Sequence, residues 1–190
     1  MITRLALGLA LALACHAVTA AEPTAGDASI IPLDGFSDSI NHWHNKHGKD
    51  YPRYAPSDVA QIADNLLRYQ RKDGGWKENQ DLLRILDEAE QARIAAENNT
   101  TGGSFDNRNV YTQVDYLANA FARTGDTRYR DASVRGLEFI LSHQIPSCGG
   151  WPHTVPGRER YHPYVTLADE VTPGVLTTLR RARDPESVFA

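Results

Sequence analysis

The chain has 190 residues, 41% of them hydrophobic, enough for about one domain with a packed core. Its formal net charge is −4 and its 20 lysines and arginines are scattered without a dense basic run, which argues against nucleic acid as a partner. Two cysteines, Cys15 and Cys148, are too few for a disulfide-stapled fold, so stability must come from packing.

Residues 1–20 have the three-part plan of a secretory signal peptide: a basic start at Met1 to Arg4, an apolar run from Leu5 to Ala14, and a small-residue cleavage site at Val18-Thr19-Ala20. The apolar run is about half of what a membrane span needs, so no anchor is expected. Lipidation at Cys15 is a rival processing route, weakened by Ala12 where such signals usually carry Leu. The expected location is secreted or periplasmic, with no membrane contact unless Cys15 is lipidated. Residues 21–56 are rich in Pro, Gly, Asp and Ser, show no sustained period, and read as an irregular leader. His42, His44 and His47 within it have a spacing that suits a metal, but no acidic or cysteine partner falls at a fixed offset, which favours polar residues on an extended arm.

Regular structure begins at Ser57, read as an N-cap. Val59, Ile62, Ala63, Leu66 and Leu67 recur at helical spacing and predict one amphipathic helix ending near Arg71. A second helical pattern covers Asp81 to Glu97, its apolar face concentrated in Leu82, Leu83, Ile85, Leu86 and Ala89. Helices at Asn109 to Arg123 and Thr127 to His143 flank the turn Gly125-Asp126, which forces them antiparallel. A last helix takes Thr172 as N-cap and Pro173 at its first position. The β-branched clusters are short and do not alternate, so no strand is expected.

One unit occurs twice. An apolar helix end closing in Gln leads to Gly-Gly-Trp, as Gln70 to Gly74-Gly75-Trp76 and again as Gln144 to Gly149-Gly150-Trp151, with Gly74 and Gly149 75 positions apart. A duplicated helix end points to a repeated helical-hairpin architecture. The hairpin then puts Asp106, Gly149-Gly150-Trp151 and Asp169 on one rim.

Asp106 and Asp169 each stand just ahead of a helix, where a carboxylate can serve simply as a cap. Taken together, with Asn107 and Glu170 alongside, they also supply the hard oxygen ligands that Ca2+ requires. Between Gly149 and Asp169 lie Trp151, His153, Arg158, Arg160, Tyr161, His162 and Tyr164, aromatic and cationic groups suited to stacking on a sugar ring and pairing with its carboxylate. Lys77, following the first Gly-Gly-Trp, is a similar candidate. For any one of these residues, packing or simple solvation explains it as well.

Asn65-Leu66-Leu67-Arg68-Tyr69-Gln70, Gly74-Gly75-Trp76-Lys77, Asp106-Asn107 with Thr112-Gln113, Gly149-Gly150-Trp151-Pro152, and Val165-Thr166 with Asp169, in this order and spacing, resemble the family 10 pectate lyases from about residue 57 to 183. The resemblance implies an all-α fold, an (α/α) toroid of helical hairpins, and a secreted enzyme that cleaves polygalacturonate by calcium-assisted β-elimination. It implies a metal and substrate role for Asp106, Asn107 and Asp169, and a substrate-lining role for Lys77, Trp151, Arg158, Arg160 and Tyr161. The chain departs from the pattern at Arg108, Asn109 and Val110, where members usually carry Gly-Ala-Thr, and at Ala168, where they usually carry Asn.

The family's proton-abstracting arginine belongs to a C-terminal half that would follow Ala190, so no arginine here is assigned that role. The expectation is therefore an incomplete, open arc of the toroid over residues 57–190, prone to self-association through its open edge. Two alternatives stay open: a non-catalytic α-helical module or degenerate fragment that binds acidic polysaccharide, and a glycoside hydrolase using Asp106 and Asp169 as acid and base.

Overall fold

The computed structural model describes residues 30–157 and 161–189. The signal-peptide segment, Cys15, Arg158 and Arg160 lie outside the described residues. Six α-helices and one two-stranded ribbon are formed among the described residues: α1 (Ser37–His47), α2 (Val59–Tyr69), α3 (Glu88–Asn98), β1 (Gly103–Ser104), α4 (Tyr111–Thr124), α5 (Thr127–Ser142), β2 (Thr154–Val155) and α6 (Val171–Ala182). The chain is all-α, as its periodicity predicts.

The amphipathic pattern of α2 buries Val59, Ile62, Ala63 and Leu66. This helix starts after Asp58 rather than Ser57, and the Asp58 carboxylate is spent on the Ala55 N–H at 2.8 Å. Helices α4 and α5 form the expected antiparallel hairpin. Gly125 turns the corner at φ +72°, a left-handed conformation that suits a residue without Cβ, and the Asp126 carboxylate accepts the Arg128 N–H at 3.0 Å. The two helices lie close because a Cβ on Gly136 would come within 2.6 Å of Val114 and 2.8 Å of Trp76. Helix α4 is central, packed against α2, α5 and α6.

Four expectations are corrected. The leader at 21–56 is not irregular throughout: a 3-10 turn at Asp34–Phe36 runs into α1. Helix α1 fully buries only Ser39, so it carries no apolar stripe to read; it is docked instead by Phe36, whose ring meets Tyr116 at 5.5 Å, and by ion pairs near each end. Second, the pattern at 81–97 is helical only from Glu88. Asp87 and Glu90 form a reciprocal capping box that fixes the start. Ahead of it the buried Asp81 carboxylate accepts the Tyr51 hydroxyl at 2.6 Å, Arg53 at 2.9 Å and the Leu83 N–H at 3.0 Å, holding a turn that drives Leu82, Leu83 and Leu86 into the core.

Third, Thr172 does not cap α6. The helix begins at Val171, and the Thr172 hydroxyl donates to the Thr166 carbonyl at 2.8 Å. Fourth, a strand pair exists where none was expected, with Gly103 opposite Val155 and Ser104 opposite Thr154 in antiparallel register. Two residues per strand are too short to leave an alternating pattern.

The duplicated unit closes by the same four hydrogen bonds in both copies. The Gln side-chain amide donates to the first Gly carbonyl, Gln70 to Gly74 at 3.2 Å and Gln144 to Gly149 at 2.8 Å. The next backbone N–H donates to the second Gly carbonyl, Arg71 to Gly75 and Ile145 to Gly150, both at 2.8 Å. The indole N–H reaches back to a carbonyl in the last turn of the helix just ended, Trp76 to Leu66 at 2.9 Å and Trp151 to Ile140 at 2.7 Å. Finally, the Trp carbonyl accepts a backbone N–H from the segment leading to the next helix, Ser104 at 3.1 Å and Thr166 at 2.9 Å. Each copy is thus a buckle that satisfies helix-end carbonyls and delivers the chain to the rim.

Candidate functional site

The rim is built where the chain leaves each buckle for α4 and α6. Asp106 follows β1, and its carboxylate stands 3.2 Å from His153 Nε2, with both side chains mostly buried. His153 comes from the segment that carries β2, so the short ribbon sets the two side chains against each other. His153 Nδ1 lies 2.8 Å from the Thr154 hydroxyl, and its ring stacks on His162 at 4.6 Å, with Tyr161 edge-on at 5.3 Å.

Burial pushes the Asp106 carboxyl above the usual Asp range. His153 and the Asn107 backbone N–H pull it back, while Asp169 and Glu78 push it further up. The Asp169 carboxylate is thus near enough to contribute a small upward push on Asp106. Asn107 is beside them, its side-chain amide donating to Asn79 Oδ1 at 2.7 Å, which leaves its own oxygen available to a ligand.

Backbone strain is concentrated here. The non-glycine residues with positive φ among the described residues are Asn79, Asn107, Arg108, Val110, Asp169 and Glu170. Each costs about 1 kcal/mol or more and persists where the surroundings over-determine it, commonly at binding sites. Val110 at φ +71°, β-branched, is the most costly type. Two consecutive left-handed residues precede each helix, Asn107-Arg108 before α4 and Asp169-Glu170 before α6. The second members of the pairs meet, with Arg108 3.1 Å from Glu170 and also 3.4 Å from Asp38. Arg108 is thus turned onto Asp38 and onto Glu170, which ties up one of the oxygen donors that the sequence offered to a cation.

Trp151 requires a correction. It is fully buried, its N–H bonded to Ile140, and it offers no face to a sugar; Trp76 does the same in its own buckle. The exposed aromatic residues on this rim are Tyr161 and Tyr164, 59% and 68% exposed. Lys77 is exposed and lines a cavity of about 880 Å3 together with Glu78 and Asn79. Glu78 and Asn79 escaped sequence reasoning although they directly follow the first buckle, which is the signal that could have found them.

As a test of the implied metal, Asp106, Asp169 and the Asn107 side-chain oxygen are hard donors of the type Ca2+ takes, and their mutual repulsion would be relieved by a cation. Among the described residues no three His, Cys, Asp or Glu side chains gather closely enough to enclose a metal ion by themselves. The donor chemistry fits, with the remaining positions left to substrate and water.

The sequence model of the pectic acid lyases matches residues 70–190. The chain belongs to the pectic acid lyase family. A family 10 polysaccharide lyase from Cellvibrio cellulosa has a similar structure at 24% identity and a TM-score of 0.55, over 85% of this chain and 45% of that one. A point mutant of a Cellvibrio cellulosa family 10 polysaccharide lyase, in complex with trigalacturonic acid, is similar at 24% identity and a TM-score of 0.55, over 84% and 44%. This pectic acid lyase family member therefore spans less than half the length of the solved structures it matches. No curated protein matches its sequence.

Proposed function

We propose that the chain acts on polygalacturonate as a secreted, calcium-assisted lyase, with Asp106, Asn107 and Asp169 at the centre of the site. The observation that carries this is the rim: Asp106 is held 3.2 Å from His153 beside an aromatic and histidine cluster, with Asp169 ahead of the next helix, in a chain of the pectic acid lyase family. Calcium held there would neutralise the uronate carboxylate and acidify the adjacent C5 proton, whose transfer to a base would break the C4–O bond; that base is assigned to none of the residues named here. The chain's own residues position the donors: the Asn79 contact fixes Asn107, the buckles fix the approach to each helix, and His153 holds Asp106. Arg158, Arg160 and Tyr161 are proposed to line the uronate path.

The test is incubation with polygalacturonate and Ca2+, following the ultraviolet absorbance of the unsaturated product. Calcium-dependent absorbance abolished by a chelator supports the reading; saturated products at a rate indifferent to chelation overturn it in favour of hydrolysis. A second reading, a non-catalytic module that binds acidic polysaccharide, is favoured by the lack of three gathered metal-binding side chains among the described residues. Retained binding without unsaturated product would establish it.

A further inference from the structure

We infer that the cavity between α1 and the loop at 77–84 is an outlying subsite for one uronate residue of an acidic polysaccharide whose reacting part lies at Asp106. This rests on the function proposed above. The cavity, about 880 Å3, adjoins the rim directly: Asn79 lines it and accepts the Asn107 amide, and Glu78 lines it and acts electrostatically on Asp106. A polymer seated at Asp106 has a continuous path into it.

Its walls are fixed before any ligand arrives. Helix α1 is tied to the rim by Asp38 at 3.4 Å from Arg108, and to the loop by His44 at 3.7 Å from the fully buried Asp81. Trp43 stacks on His47 at 4.1 Å and carries the Arg84 guanidinium 4.5 Å from its ring centroid. Arg84 is 8% exposed, paired with Glu90, and its Nη1 has no hydrogen-bond partner among the described residues. Preorganised walls lower the ordering cost of binding.

The charge pattern selects the ligand. Arg84 is paired to Glu90 and Arg93 to Glu97 at 2.6 Å, so their charges are compensated. Lys46 on α1 and Lys77 on the loop are exposed, one from each wall, and make no salt bridge among the described residues. Asp50 and Glu78 balance Lys46 and Lys77 on the lining as a whole, so the cavity offers one lysine from each wall to a single carboxylate rather than a broad positive field. Asp50 and Glu78 on the same lining disfavour a dianion such as a phosphate, whereas the Asn79 and Gln80 amides suit hydroxyl groups. A monoanionic sugar acid meets all these conditions.

Stopped-flow tryptophan fluorescence reads binding before turnover, with Trp43 as the local reporter. The full chain with Ca2+ is titrated with trigalacturonate and with hexagalacturonate. Lys46→Glu should weaken hexagalacturonate binding about two- to fivefold, the scale of exposed charge pairs, and leave trigalacturonate unchanged. Asp50→Lys should tighten hexagalacturonate binding only. Asp106→Ala should weaken both oligomers, marking the rim. If Asp106→Ala weakens both while Lys46→Glu and Asp50→Lys change neither, the subsite is overturned and the rim stands. Equal effects of Lys46→Glu on both lengths also overturn it. If wild type binds neither oligomer, both readings fail.

Discussion

Trp151 separates a packing role from a binding role, and the structure assigns it to packing. Replacing it with Phe keeps most of the buried ring but removes the N–H that reaches Ile140 at 2.7 Å, leaving that carbonyl with one partner fewer. The lost hydrogen bond costs about 0.5–1.5 kcal/mol and the missing ring atoms add a cavity term, for a total of about 2 kcal/mol. In a chain of this length that lowers Tm by about 4–8 °C. Trp151→Ala should cost about 3–5 kcal/mol, a large share of the whole stability of such a domain. Trp76→Phe, with the same contact in the first buckle, should match Trp151→Phe within about 0.5 kcal/mol. Thermal melts followed by far-ultraviolet circular dichroism read the stability, and titration with oligogalacturonate reads the affinity. A Trp151→Phe variant with unchanged Tm and affinity lowered more than about tenfold would refute the assignment, because it would mean the indole faces ligand.

Other outcomes follow from single contacts. Gly74→Ala should destabilise by about 1–3 kcal/mol in urea denaturation, because φ is +93° and a Cβ would sit 2.2 Å from the Arg135 carbonyl. Asp87→Ala should cost about 1 kcal/mol by opening the capping box of α3, with Asp87→Asn losing less, read by the same melts. Asp106→Asn should abolish calcium-dependent product formation while leaving Tm within about 3 °C of wild type; an active variant would remove Asp106 from the site. Burial raises the Asp115 carboxyl above the usual Asp range despite Thr178 and Arg181. Its contribution to stability is therefore fully present below the ordinary Asp value and is lost as pH rises through the raised one. Urea melts should therefore show Asp115→Asn losing more stability relative to wild type at pH about 4 than at pH about 7.

The α2, α4 and α5 helices were legible because each carries an apolar stripe whose period survives in Val59, Ile62 and Leu66 or in Val114, Leu117 and Tyr129. Helix α1 was not, because polar contacts through Asp38 and His44 hold it and leave no stripe. The apolar run at 82–86 misled for the opposite reason: Leu82, Leu83 and Leu86 reach the core from a turn organised by Asp81, and side-chain spacing alone does not reveal a buried carboxylate. Of the site, the position of Asp106 and Asp169 ahead of α4 and α6 follows from the helix pattern. The exchange of Trp151 for Tyr161 and Tyr164 as the exposed aromatics does not, since a Trp after two glycines reads equally well as platform or plug.

The buckles also separate what must stay constant from what can change. From Trp76 to the start of α4 the chain takes 35 positions, and from Trp151 to the start of α6 only 20, yet both intervals leave through an equivalent carbonyl and pass through two consecutive residues of positive φ near their end. The longer interval spends its surplus on α3 and on the loop that walls the cavity beside α1. The frame thus works as a socket of fixed gauge into which segments of different length can be fitted. The surplus is not confined to the surface, because Leu82, Leu83, Leu86 and Ile94 from it pack into the core, so the inserted segment and the helices beneath it form one packed unit.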